Sequence, residues 1–157
     1  MTEIGRRLFL KMTLTGSALA IAVGTGLLTP TRVLASWPGS AFNAKSIDAA
    51  ISGTYGSGST TESGDIHINA PRSAENGAVV PVTIGSSMPG TESMSIIIEK
   101  NGRPMGAEFK LTPRTRPKIS TRIKLAESSK VIAVVKADGK LYSASKEVQV
   151  ILGGCGG

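Results

Sequence analysis

The sequence predicts an all-β fold, an immunoglobulin-like β-sandwich of about seven strands, with a short N-terminal helix before it and a flexible glycine-rich arm after it. Three observations predict it. From Asp65 onward, short runs alternate apolar and polar residues, the period of a half-buried strand. Gly, Pro, Asn and Asp separate these runs, as turn residues do. Helical spacing is confined to one stretch, Ala41/Phe42, Ile47 and Ala50/Ile51, which predicts a short amphipathic helix from Ala41 to Ile51.

The residues before that helix read as a leader. Gly5-Arg6-Arg7-Leu8-Phe9-Leu10-Lys11 precedes an apolar run from Met12 to Leu28, and Val33-Leu34-Ala35 before Ser36 has the small-residue form of a cleavage site. Paired arginines followed by Leu-Phe-Leu-Lys make the pattern a twin-arginine export signal, with Gly5 where Ser or Thr is usual. An uncleaved membrane anchor is the other reading; Gly16, Gly24, Gly26 and the cleavage-like site speak for removal. The expected divisions are a signal over 1–35, helix and linker over 36–64, the sandwich over 65–152 and the arm over 153–157. The whole chain of 157 residues has a net charge of +7. From Ser36 onward 14 basic residues stand against 10 acidic ones, leaving +4, so the basicity is not a nucleic-acid footprint. It suits anionic small molecules or an acidic partner.

Ser52 to Gly64 is rich in Gly, Ser and Thr and reads as a loop or linker. Asp65 to Asn69 alternates and Pro71 ends it; Ala78 to Ile84 follows Gly77, with Pro81 implying an edge position or a bulge because proline cannot donate to the ladder. Met94 to Lys100 contains the buried-looking triplet Ile96-Ile97-Ile98, and Asn101-Gly102 is a turn signal. Phe109 to Leu111 reads as a short strand. Lys118 to Leu125 puts Ile119, Thr121, Ile123 and Leu125 on one face and Lys118, Arg122 and Lys124 on the other. Val131 to Lys136 and Leu141 to Ile151 flank the hairpin turn Asp138-Gly139.

The cysteine count is the sharpest functional feature. Cys155 is the only cysteine, set in Gly153-Gly154-Cys155-Gly156-Gly157. An exported domain normally pairs its cysteines or has none, so a lone one points to a reactive or intermolecular thiol. The absence of a CxxC motif excludes a self-sufficient dithiol oxidoreductase, and one histidine, His67, with one cysteine argues against a metal site. No Gly-rich phosphate loop or haem-attachment motif is present, so no cofactor is expected. Glycine has the greatest conformational freedom of any residue, so the tail should act as a swinging arm that carries the thiol on the order of 10 Å beyond the sheet. A scaffolded reactive cysteine would have a base or helix terminus beside it. The tail has neither, and activation then falls to the protein that receives the sulfur. Three classes remain: a covalent carrier, a structural or adhesive β-sandwich crosslinked through Cys155, and a thiol enzyme such as a peroxidase, which would need activating residues that the tail does not supply.

The chain resembles the SoxY family of sulfur carriers of the periplasmic thiosulfate-oxidising system. The resemblance rests on the Arg6-Arg7 signal, on Ala74-Glu75-Asn76-Gly77-Ala78-Val79-Val80-Pro81-Val82, and on the Gly153-Gly154-Cys155-Gly156-Gly157 ending. It implies that Cys155 is the covalent attachment point and that Gly153, Gly154, Gly156 and Gly157 form the arm. It further implies a SoxZ-like β-sandwich partner, a c-type cytochrome enzyme that joins thiosulfate to the cysteine, and a hydrolase that releases sulfate. Twin-arginine export of a chain with no cofactor fingerprint also points to a partner that folds with it before export.

Other residues have plainer readings. His67, between Ile66 and Ile68, should face solvent or an interface, and the cluster Arg114, Arg116, Lys118, Arg122 and Lys124 is a solvated face whose sharper role would be steering of acidic partners. Met88, Met94 and Met105 are too scattered for copper and should pack or lie in loops. No carboxylates are paired for acid–base work.

Overall fold

In the computed structural model, residues 38–151 are described. Two helices come first, α1 (Gly39–Phe42) and α2 (Ile47–Tyr55), then nine strands: β1 (Thr61–Glu62), β2 (Ile66–Asn69), β3 (Ser73–Ala74), β4 (Val80–Ser86), β5 (Thr91–Ile98), β6 (Met105–Lys110), β7 (Lys118–Ile123), β8 (Ser129–Ala137) and β9 (Lys140–Val150). The larger sheet has the order β1-β9-β8-β5-β6, with β3 also paired to β9; the smaller is β2-β4-β7. The fold is the expected β-sandwich: seven strands have four residues or more, and β1 and β3 are two-residue additions.

The side chains between the sheets explain the alternation. Val80, Val82 and Ile84 of β4 meet Met94, Ile96 and Ile98 of β5 and Val131, Ala133 and Val135 of β8 in one core. The opposite face of the larger sheet is covered as well. Ile97 and Val134 pack with Met105 against Ala41, Ala44, Ala50 and Ile51 of the helical segment. A strand covered on both faces reads as a continuous apolar run, which accounts for Ile96-Ile97-Ile98. On the helix side, the Tyr55 hydroxyl and the fully buried Ser95 Oγ share a hydrogen bond of 2.6 Å.

Several boundaries differ from expectation. The helix predicted over 41–51 is two helices broken at Asn43–Ser46, and the second continues to Tyr55. The apolar spacing runs across the break. The break itself shows in the caps: Ser46 Oγ accepts from Ala49 N, and Gly56 closes the helix with φ 77°. The predicted loop 52–64 therefore begins as helix, and near its end Thr61 and Glu62 pair in parallel with Tyr142 and Ser143. The strand expected at Phe109–Leu111 is Met105–Lys110, and the one expected to reach Lys100 stops at Ile98. Pro81 lies in the central strand of the smaller sheet. However, β2 pairs with β4 only from Thr83 onward, so at Pro81 β4 has a neighbour on one side only, Arg122 of β7, and the position is locally an edge. Asp138 and Gly139, with φ 48° and 72°, form the expected tight hairpin between β8 and β9.

Candidate functional site

Cys155, Gly153, Gly154, Gly156 and Gly157 lie outside the described residues, as does the leader. What the structure describes is the ground from which the cysteine-bearing segment departs, the end of β9. The segment Ala74–Val82, marked in the sequence as a point of resemblance, is built around that end. Ser73 and Ala74 run parallel to Gln149 and Val150. Gln149 N donates to the Arg72 carbonyl at 2.9 Å, and Ile151 N to the Ala74 carbonyl at 2.9 Å. From the other side, Ser128 Oγ accepts from Val150 N at 2.9 Å.

Gly77 sits where these pieces meet. Its carbonyl accepts from Leu125 N at 2.7 Å. A Cβ on it would stand 2.5 Å from the Leu125 carbonyl oxygen and 3.0 Å from Val150 Cγ1, so only glycine lets the Leu125 backbone and the Val150 side chain approach this closely. Asn76 Oδ1 accepts from Ala78 N at 2.9 Å and shapes the turn into β4. Nearby, Asn101 ties the β5–β6 turn to the segment after β7, donating to the Lys124 carbonyl at 2.8 Å and accepting from Ala126 N at 2.9 Å. The end of β9, the root of the cysteine-bearing segment, is thus held by main-chain bonds to Arg72 and Ala74 and by the Ser128 side chain. Among the described residues, the large exposed apolar ones are Val79 and Ile151, 53% and 52% accessible.

The root is chemically quiet. The Ser128 hydroxyl is committed to the backbone of Val150. The only histidine, His67, is exposed on the outer face of the smaller sheet and lies opposite Gly85, which in turn faces Lys118. Gly85 is five residues along β4 from Val80, about 17 Å at strand rise. Lys118 and Arg122 share the outer face of β7, exposed, while Ile119 and Ile123 turn inward, as the alternation predicted. Met94 and Met105 are buried and Met88 packs against the core, so the methionines have packing roles. No group of three or more potential metal-ligating side chains exists among the described residues. Among the described residues, the end of β9 is held in place, and the single histidine lies on the outer face of the smaller sheet. Sequence reasoning had given the fixing residues Ser128 and Gly77 no role, although the Gly77 signal was in view.

The comparisons bear on this arrangement directly. The family model described as "Sulfur oxidation protein SoxY" matches residues 51–155. Among solved structures, the chain is similar to the sulfur carrier protein SoxY from Chlorobium limicola f thiosulfatophilum, with 44% identity and a TM-score of 0.60, covering 67% of this chain and 96% of that one. A chain from a structure of T cell activation by the bacterial superantigen toxic shock syndrome toxin-1 aligns at 10% identity and a TM-score of 0.40, covering 55% of this chain and 99% of that one; at that level the likeness carries no argument. A search of curated proteins gave no match. The β-sandwich and its close SoxY relative define the class, a sulfur-carrier protein. The chain belongs to the SoxY family. Membership gives it a carrying role in sulfur oxidation, with partners in the Sox system.

Proposed function

We propose that the chain carries thiosulfate-derived sulfur covalently on Cys155 in the periplasm, after folded export through the twin-arginine signal at Arg6-Arg7, and performs no catalysis itself. The observation that carries this reading is the lone cysteine between glycine pairs, four residues beyond Ile151, whose N–H is held by the Ala74 carbonyl just after β9 ends. At 3.3–3.6 Å per residue, the sulfur reaches about 14 Å from Ile151. The glycines add no bulk, so the thiol can enter a narrow cleft of another protein.

The chemistry follows from the sulfur. A Cys155 thiolate and thiosulfate join through a new S–S bond with loss of two electrons, accepted by a c-type cytochrome enzyme, and the thiol proton goes to solvent. A hydrolase then adds water across the bond to the sulfonate group, so that sulfate leaves and a persulfide stays on Cys155. A SoxZ-like β-sandwich completes the carrier. No cofactor is needed on this chain.

The test is a Cys155→Ala strain growing on thiosulfate. The proposal expects thiosulfate-dependent oxygen uptake to stop while the protein is still made. Unchanged uptake, with Cys155-linked disulfide dimers in the parent, would instead make the protein a crosslinked envelope component.

A further inference from the structure

We infer that the outer face of the β2-β4-β7 sheet docks an acidic surface of the protein that receives the arm; this rests on the carrier reading of Cys155. The register sets Lys118, Ser120 and Arg122 outward along β7, facing Gly85, Thr83 and Pro81 of β4. His67 and Asn69 extend the same face onto β2. None of these outward positions is a carboxylate. The nearest acid in the chain, Asp65, lies just before β2, where its carboxylate accepts from the Ser87 hydroxyl. Arg116, Lys118 and Arg122 are exposed and form no ion pair with any described residue.

The shape of the face fits an extended partner surface better than a single small anion. Two cavities of about 470 and 540 Å³ share Thr83 and Ser120, so together they form one trough along the sheet. Gly85 has no side chain and widens the trough between His67 and Lys118. Lys118 and Arg122 are four residues apart on one strand, about 13 Å at strand rise, too far to grip one oxyanion together. A site for one small anion would also enclose its donors, whereas these cations stand in solvent.

The trough also leads to the right place. Arg122 lies across from Pro81, at the end of the sheet where Gly77 binds Leu125 and meets Val150. The sulfur reaches only about 14 Å beyond Ile151, so a protein that takes it into a cleft must cover the surface around the root. A cationic track beginning there raises encounter rates by 10–10³ without requiring a long-lived complex, which suits a carrier that must leave again.

Lys118→Glu/Arg122→Glu tests this, since both side chains are exposed and far from the core. Two readings are taken on protein isolated from its own cells. In the first, a ten-residue polyglutamate is titrated into labelled protein. It is expected to shift the Gly85, Ser120 and Arg122 amide signals, while sulfate at equal charge leaves them still. The shifts should vanish in the variant and in about 1 M NaCl, where screening falls to about 3 Å. In the second, the rate of sulfur loading on Cys155 by an extract of cells grown on thiosulfate is followed by mass. Loading should be about tenfold slower in the variant at low salt, with the gap closing as salt rises. Peptide shifts elsewhere on the molecule, or equal loading rates at low salt, overturn the inference. A wild-type Cys155 that never loads strikes the carrier reading instead, and the peptide titration then decides the surface by itself.

Discussion

The backbone N–H of Ile151 donates to the carbonyl of Ala74 at 2.9 Å, so the final described residue of the chain is held by a strand only two residues long. Together with Val150 N on Ser128 Oγ, this bond fastens the end of β9 at its boundary with the cysteine-bearing segment.

Gly77→Ala probes that boundary. The added methyl meets the Leu125 carbonyl and Val150, and overpacking of this kind costs about 1–3 kcal/mol. Urea unfolding should show the loss, and amide hydrogen exchange should speed up at Val150 and Ile151 before it does in β8. Uniform exchange across the sandwich would mean that Gly77 serves the fold as a whole and not the root.

Tyr55 and Ser95 form a second test. Burial pushes the Tyr55 phenol above its usual value, and the Ser95 hydrogen bond opposes that shift. Tyr55→Phe strands the buried Ser95 hydroxyl, at a cost of about 1–3 kcal/mol, and Tyr55→Phe/Ser95→Ala should recover part of it. A folded pKa that is raised gives stability that is present below the unfolded value of about 10 and is lost as pH rises through the folded one. The wild type should therefore lose more stability than Tyr55→Phe on going from pH 9 to pH 11, measured by urea midpoints.

Glu92 has the opposite sign. The Lys136 ammonium 2.8 Å away, and then the Gly139 N–H, lower its pKa. A lowered folded pKa gives stability that is present above the unfolded value of about 4.3 and is lost as pH falls through the folded one. Glu92→Gln should be less stable than wild type at pH 7, with the difference gone by about pH 3. The pair is exposed, so the effect is small and should shrink with salt.

Ile97→Ala separates the layers. Ile97 is fully buried between the larger sheet and the helices, and its truncation should cost about 2–5 kcal/mol. Circular dichroism and exchange should place the loosening in α2 and not in the β2-β4-β7 sheet, which lies on the other side of the core.

The sandwich was legible in the sequence because most strands bury one face. Lys118 to Ile123 alternates cleanly, and the turn residues Asp138-Gly139 mark a hairpin that the structure contains. The run Ile96-Ile97-Ile98 announced burial, but only the helix layer explains why both faces are covered. The strands β1 and β3 were illegible: two residues carry no period, and both exist only because distant β9 offers an edge. The helix break was recoverable from Ser46 and the helix end from Gly56, whose capping chemistry the apolar spacing overrode. At the site, Cys155 was visible from its composition alone, whereas the fastening by Gly77 and Ser128 depends on backbones brought together from far along the chain.

The most direct measurement is the intact mass of the protein taken from cells oxidising thiosulfate. The account predicts a population heavier by one sulfur or by a thiosulfate-sized group, mapped to the peptide containing Cys155 and missing from Cys155→Ala. A chain that keeps its unmodified mass throughout active thiosulfate oxidation would contradict it.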